Sequence, residues 1–556
     1  MSSRIAELKE LLAVARGEKR AQLVLKRAEI VNVISEEIEV ADIAVHRGVI
    51  VGVGSYSGVE EVDCRNLIAV PGLVDAHTHV EMSMLSLTEF ARLVVPRGTT
   101  CVVADPHEIA NVLGVEGVKL LIEESRHVPL RFYCLAPSCV PSSPLETPGA
   151  KLGVEEVKEL MELEEVIGLA EVMNYPGTVE GDEELLAKIA ASRGVVDGHC
   201  PGLRGERLNA YIVAGAMSDH EVSGLEEAKE KLRRGMRIMI REGSAARNLR
   251  ILKELIPHRN VMLVTDGDRT PLDLLNEGYL DHVFRRAVEE GVDEIHALQA
   301  VTLNPAEYFR LNCGAIAPGR LADIVLLKNL RRFEVEAVFV DGARVTSFER
   351  RFEYPEFAKK TFRLARKVTP EDLQLGSGLA RIIRVIDGEI ITGEDREYVE
   401  GIDVERDVLK IAVVERHRAT GNVGKAYVRG FGLKRGAVAQ SIAHDAHNIV
   451  CVGASDDDMC TAINRVAELQ GGIVVVDGFV KAELPLKIAG LMSDEKAEVV
   501  AERLRRIYRE IGELGCKLRD PIMTLSFVAL PVIPKLKVTD LGLVDVESFE
   551  VVDPLL

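Results

Sequence analysis

Eight times between residues 71 and 310, an apolar run ends in a polar residue capable of chemistry, and a helical stretch follows. The runs end near His77, Asp105, Ser138, Glu171, His199, His220, Glu242 and Asp266. They lie roughly 20 to 35 residues apart, the length of one strand–helix unit. Eight such units predict an α/β fold, a (β/α)8 TIM-like barrel, which presents its catalytic groups at the C-terminal ends of its strands. This periodicity constrains the chain more than composition does, because it specifies both a fold and the rim on which a site must lie.

The flanks read differently. Short strand-like runs with turn signals occupy residues 28–33, 42–45 and 49–54, and a similar pattern returns at 319–327 and 337–342. Residues 1–70 and 311–350 are therefore expected to be two pieces of one small β-domain, with the barrel (71–310) inserted between them. From 351 to 556, short β runs at 382–385, 411–414 and 473–476 and a helix over roughly 494–514 predict a separate α+β domain. The first residues predict an amphipathic helix with Ile5, Leu8, Leu11 and Leu12 on one face.

Composition narrows the function classes. The 69 Lys and Arg against 88 Asp and Glu give a net charge of −19, which disfavours nucleic acid and anionic membranes as partners. No apolar run reaches the roughly 18 to 20 residues of a membrane span, and Glu7, Lys9 and Glu10 break up any secretory signal. The 9 cysteines include no CxxC pair, which argues against a disulfide framework, a zinc finger and the zinc deaminase fold built on PCxxC. A reducing cytoplasm is the expected compartment. A homodimer is compatible with this length and acidity, although no residue marks an interface.

The chemistry begins at His77-Thr78-His79. In a strand, residues i and i+2 share a face, so both imidazoles can reach one metal ion. Alone, an HxH is as compatible with a structural pair. Glu171, His199, His220 and Asp266 at later strand ends add carboxylate and imidazole donors, a set suited to Zn, Mn or Fe. Two histidines per metal with a shared carboxylate would allow a binuclear centre that makes hydroxide from water. Asp266 is readable either as a helix N-cap or as the base that takes the proton of that water, and the whole constellation favours the base.

The segment PGLVDAHTH (71–79) resembles the first barrel strand of the amidohydrolase superfamily. Further segments resemble, more narrowly and in the same order, the prokaryotic adenine deaminase family. They are ADPHEIANV (104–112), PSCVP (137–141), DGHCPGL (197–203), IREGS (240–244), LLNEGYLDH (274–282), HDAHNI (444–449) and GLMSD (490–494). The resemblance covers nearly the whole chain. It implies hydrolysis of adenine to hypoxanthine and ammonia in purine salvage, with Mn²⁺ as the leading metal and Fe²⁺ or Zn²⁺ as alternatives. It further implies that His77 and His79 hold one metal, His199 and His220 the second, and that Glu171 bridges where many relatives use a carbamylated lysine. IGLAEVMNYPG contains no lysine, which agrees with the bridge and counts against dihydroorotase-like and hydantoinase-like activities. Another deaminase or cyclic amidohydrolase acting on a related heterocycle is the alternative. A metal-free binding module would show damaged ligands, and none is damaged.

Attack at C6 also requires a proton at N1 and loss of ammonia, and Glu108 and Glu242, each just past a strand, are expected to serve. Ion pairing with a neighbouring helix or with Arg241 is the competing expectation for both. Asp105 and His107 would bind metal or order their loop, Ser138 would touch the substrate, and Cys200 reads as a small buried hydrophobe. His444 and His447 would form a lid over the barrel, an additional metal site, or simply a hydrogen-bonded loop. His46, His127, His258, His282, His296 and His417 are expected to be solvated or structural. Two segments depart from the family pattern: Met82 follows Glu81 where a serine is usual, and Gly267 separates Asp266 from Asp268.

Overall fold

A computed structural model describes residues 2–243, 247–267, 269–349 and 351–556. Ser244 and Asp268, both singled out above, lie outside the described residues. Between residues 73 and 264 the chain forms eight parallel strands in two sheets. The first sheet holds Leu73–Thr78, Thr99–Ala104, Arg131–Ala136, Val166–Val172 and Val195–Gly198, each paired with the next. The second holds Ser218–Asp219, Arg237–Arg241 and Val261–Val264. The first two strands are buried along their whole length, as continuous apolar runs covered on both faces must be.

Hydrogen bonds join the two sheets at both margins. Met217 N donates to Val196 O at 3.0 Å, and Asp266 N donates to His77 O at 3.1 Å. Beside the second seam, Thr265 Oγ1 donates to the buried Asp75 at 2.6 Å. All eight expected chemical residues fall at or just beyond a strand's C-terminal end.

The flanking β segments meet in one sheet, where Ile324–Asn329 runs antiparallel to Ile68–Pro71. The helix Ser2–Ala15 forms, but its apolar face is not covered: Ile5, Leu8 and Leu12 are exposed, while Leu11 is half-buried and Val14 fully buried. Its C-terminal end is what is anchored, by Tyr56 Oη donating to Ala15 O and by Glu10 facing His46 and Arg47.

After residue 377 a second eight-stranded sheet runs from Gly378–Val385 to Phe479–Pro485. The helices Asp456–Glu468 and Ala497–Glu513 bury their apolar stripes against it. Ser455 caps the first of them, accepting from Asp458 N, with three aspartates in the first turn complementing the helix dipole. The loop 441–448 and the helix Pro521–Val528 are carried by this part of the chain to the C-terminal ends of the parallel strands.

Lys537, on the strand Leu536–Thr539, supports that approach from behind. It is fully buried, and its Nζ donates to the carbonyls of Ile390 (2.8 Å) and Phe527 (2.9 Å). Burial pushes its ammonium down from the ordinary 10.5 to about 7. Below that value the folded and unfolded chains both hold the proton, and the folded state bears the whole cost of the buried charge. Between about 7 and 10.5 only the unfolded chain holds it, so stability rises with pH. Lys537→Met should lose this slope. Between about pH 7 and about pH 9 the wild type should gain about 2 to 3 kcal/mol on the variant in denaturant unfolding. Parallel pH profiles would show that Lys537 keeps an ordinary affinity for its proton.

Candidate active site

Four imidazoles and two carboxylates converge where the strands end. His77 and His79 both turn inward from the first strand, their ring centroids 4.9 Å apart. His79 Nδ1 donates to Asp105 O at 2.9 Å, which leaves Nε2 as its free ligand atom. His199 Nδ1 and His220 Nε2 lie 3.3 Å apart from the opposite side, and His220 stacks on His77 at 4.1 Å between centroids. Glu171 stands between the two pairs. Its Oε2 is 2.7 Å from His199 Nδ1 and 3.2 Å from His220 Nε2, while Oε1 is 3.7 Å from His79 Nε2 and from His107 Nδ1.

Asp266 closes the ring. Its Oδ1 lies 3.3 Å from His77 Nε2 and 3.4 Å from His79 Nε2, and Oδ2 accepts from Arg241 Nη1 at 2.6 Å. The N-cap alternative does not hold, because the side chain faces the histidines. The inserted Gly267 has a physical reason: at φ +68° it passes so close to His79 that a Cβ would sit 2.4 Å from the His79 carbonyl oxygen.

The electrostatics show what the cluster attracts. Burial lowers the proton affinity of His77, but Asp197, Asp266 and Glu171 outweigh it and hold the imidazole well above its usual range. Burial likewise opposes a proton on His199, yet Glu171 brings it up to about 9. Burial would raise the carboxyls of Glu171 and Asp266, but His220 and His199 for the first and Arg241 for the second hold both well below the carboxylate range. A buried group of imidazoles that draws protons this strongly also draws metal cations. Neither ring nitrogen of His77 has a hydrogen-bond partner among the described residues, nor does His220 Nδ1. Orphaned buried nitrogens beside carboxylates fit metal ligation. His79 with Glu171, His77 with His220 and Asp266, and Glu171 with His199 and His220 each place their donor atoms close enough for one ion.

Above this floor lies a cavity of about 90 Å³. Glu108, His444 and Asp445 form one wall, Glu221 and Arg241 another. Ile390, Met523, Phe527, Leu530 and Ile533 make an apolar roof, with Met82 and Met173 at its edge. The loop bearing His444 and His447 therefore does reach over the strand ends. His444 Nδ1 lies 2.8 Å from Glu108 Oε1, and His447 Nε2 donates to Glu108 Oε2. Burial would raise the Glu108 carboxyl, but His444, His447 and His107 hold it well below its usual range. His417, read as solvated or structural, is buried beneath this loop with Nε2 on the Ala446 carbonyl.

Two expected site residues, Glu242 and Ser138, turn away from the cavity. Glu242 is buried off the cavity, with Oε1 3.4 Å from Arg286 Nε on the helix Leu280–Glu289; the ion pair is what the structure shows. Ser138 Oγ donates to the backbone carbonyl of Glu171 at 2.6 Å, so it steadies that strand end instead of facing the cavity. Asp105, by contrast, stays at the site: its backbone carbonyl accepts from His79 Nδ1, its Oδ2 lies 3.2 Å from His107 Nδ1, and its carboxylate is grouped with the donor atoms of His79, His107 and Glu171. Sequence reasoning did not find the Arg241–Glu221 pair (Nη1 to Oε1, 2.6 Å), Asp445 or the apolar roof. An arginine at a strand end next to a candidate acid was the available signal for the first; nothing local marked the others.

Residues 68–345 match the amidohydrolase family, and residues 388–550 match the adenine deaminase C-terminal domain. An adenine deaminase of Archaeoglobus fulgidus is 67% identical over 99% of this chain and 98% of its own. One from Methanothrix thermoacetophila is 46% identical over 98% of each. Among solved structures, a β-aspartyl dipeptidase from Fervidobacterium islandicum AW-1 is similar over 58% of this chain and 96% of its own, at 20% identity and a TM-score of 0.43. The chain belongs to the amidohydrolase family and, within it, to the adenine deaminases.

One buried ion pair ties together the loops that carry His199 and His220. Lys231 Nζ donates to Asp219 Oδ2 (2.6 Å), Glu227 Oε1 (2.6 Å) and Cys200 O (2.7 Å), and Asp219 Oδ1 accepts from Cys200 N and Glu221 N. Lys231→Met strands a fully buried Asp219, so it should cost about 3 to 5 kcal/mol in denaturant unfolding. Adding Asp219→Asn should recover part of that loss, and additive effects in the double variant would argue against the coupling.

Proposed function

We propose that this chain hydrolyses adenine to hypoxanthine and ammonia. The observation that carries the reading is the convergence of His77, His79, Glu171, His199, His220 and Asp266 beneath a small roofed cavity, in a chain that aligns end to end with adenine deaminases. The two parallel sheets act as one (β/α)8 barrel (71–310), inserted in a small β-domain (1–70 and 311–350) and followed by an α+β domain (351–556). The substrate is a free purine, the expected compartment the cytoplasm, and a homodimer is compatible with the chain's length and acidity.

His77 and His79 would hold one divalent metal and His199 and His220 a second, with Glu171 shared. The resemblance to adenine deaminases makes Mn²⁺ the leading metal, with Fe²⁺ or Zn²⁺ as alternatives that this nitrogen and oxygen set equally tolerates. When bound, such a metal would lower the pKa of water so that hydroxide is available near neutral pH as the nucleophile for C6. Asp266 would act as the base, with Oδ1 as the atom that takes the proton. Arg241 on Oδ2 keeps Oδ1 turned to the floor, and Glu221 in turn holds Arg241. Glu108 is the cavity-wall carboxyl that serves N1, with His444 and His447 as its proton partners. Glu242, paired with Arg286, has no part in this scheme. The roof of Met523, Phe527 and Leu530 covers the ring and excludes bulk water, strengthening every charge interaction below it.

The direct test is ammonia release from adenine by protein loaded with Mn²⁺, Fe²⁺ or Zn²⁺, beside a stripped control. Asp266→Asn should retain its metal and lose about 10²- to 10⁴-fold in kcat. Folded, metal-replete wild type that leaves adenine untouched would refute the substrate. His447→Ala should lower kcat with metal content unchanged, and wild-type kinetics in that variant would remove the loop from the chemistry.

A further inference from the structure

Two atoms that the C-terminal part of the chain brings to the cavity wall have no use in the scheme above. His444 Nε2 and Asp445 Oδ2 are buried, have no hydrogen-bond partner among the described residues, and belong to side chains that line the cavity. Asp445 is only 3% exposed. The loop around them is otherwise well held. Ala443 N donates to His447 Nδ1 at 3.2 Å, Asn448 Nδ2 donates to Thr147 O at 3.0 Å, and the buried Arg416 donates to the His447 carbonyl. The open valence on Asp445 is therefore not slack in a loose loop. A buried carboxylate oxygen without a donor is costly, and a ligand that brings a donor recovers that loss.

The substrate chemistry says which donor. Neutral adenine carries N–H groups at two places: the exocyclic amine and one nitrogen of its imidazole ring, N9 or N7 according to tautomer. The amine is attached to the reacting carbon and must face the His77, His79, His199 and His220 floor. The ring N–H is the donor left for a wall. The cavity, about 90 Å³ beneath apolar side chains, has the scale of a bicyclic base.

We propose that Asp445 is a specificity-determining residue, accepting a hydrogen bond from the imidazole-ring N–H of the purine and thereby favouring the free base over N-substituted purines. The assignment rests on the adenine deaminase reading, and it gives the C-terminal part of the chain a direct contact with substrate. A position that must supply a lone pair to a substrate N–H discriminates strongly against analogues lacking it, because the buried acceptor is then left unpaired.

The test uses Mn²⁺-loaded, full-length protein and measures inhibition of adenine turnover by purine, 7-methylpurine and 9-methylpurine. In the wild type, both methyl compounds should bind more weakly than purine. In Asp445→Ala, purine should weaken by about tenfold or more, the loss expected of one charge-assisted hydrogen bond, while the methyl compounds stay within about threefold. The preference for purine then collapses. A structural role alone would weaken all three inhibitors together. Asp445→Leu, which fills the same wall without an acceptor, serves where the alanine variant fails to fold. An unchanged preference in either variant overturns the proposal. So does wild-type protein that binds 7-methylpurine or 9-methylpurine as tightly as purine, and that measurement needs no variant. Wild-type protein that does not turn over adenine defeats the parent reading instead, so the two failures are distinguishable.

Discussion

Glu171 is the interaction on which the site depends. One carboxylate must face two imidazole pairs that come from opposite sides of the parallel strands, and it does so with different oxygens: Oε2 toward His199 and His220, Oε1 toward His79 and His107. Only a side chain at the end of a strand between the others can do this, since it needs neighbours on both flanks. The strand Val166–Val172 has Arg131–Ala136 on one side and Val195–Gly198 on the other. The backbone carbonyl of Glu171 is fixed in turn by Ser138 Oγ from the preceding strand end. A lysine at this place would need carbamylation to offer two oxygens; a glutamate has them already.

The C-terminal part of the chain completes what the parallel strands leave open. The strands furnish a charged floor, but a floor alone remains in contact with water. Phe527 and Met523 from the helix Pro521–Val528, and Ile390 from a preceding loop, cover it with apolar surface. His444 stacks on Phe527 at 4.8 Å between centroids, so the polar wall and the apolar roof are one packed unit. Both partners of Lys537 are roof residues, which couples roof position to a lysine with no carboxylate beside it in its bonding. A hydrolase of a small aromatic base gains from such a cover twice. It removes water that competes for the ring's hydrogen-bonding edge, and it lowers the local dielectric around Asp266 and Glu108.

Much of this was legible in the sequence, for physical reasons that differ by residue. Buried parallel strands must be near-continuous apolar runs, so their ends, and with them His77, Glu171, His199, His220 and Asp266, can be counted along the chain. Glu242 and Ser138 satisfied the same positional rule and still pointed elsewhere, because position at a strand end does not fix which way a side chain turns. Glu242 found Arg286, on a helix forty-four residues later, and no local pattern announces that pairing. Asp445 and the roof were invisible for a related reason. They lie more than a hundred residues beyond the last parallel strand, and only tertiary docking brings them to the cavity. The exposed face of the helix Ser2–Ala15 makes the converse point: periodicity shows that a helix has an apolar side, not that anything covers it.

A chain with net charge −19 nevertheless concentrates buried cations around its site, and each secures a different strand end or loop. Arg241 holds Asp266 to Glu221, Lys231 holds Asp219 to the Cys200 carbonyl, Lys188 donates to the Ser138 carbonyl, and Arg416 donates to the His447 carbonyl. Every one of these side chains is nine-tenths buried or more. Buried ion pairs such as those of Arg241 and Lys231 contribute little net stability, since desolvation offsets most of their attraction. Their effect is geometric: a buried cation with two or three fixed acceptors admits one arrangement of the backbones that carry them. Catalytic groups must sit within fractions of an ångström of their productive positions, and loops at strand ends lack the ladder hydrogen bonds that would hold them there. The cations take the place of those missing bonds.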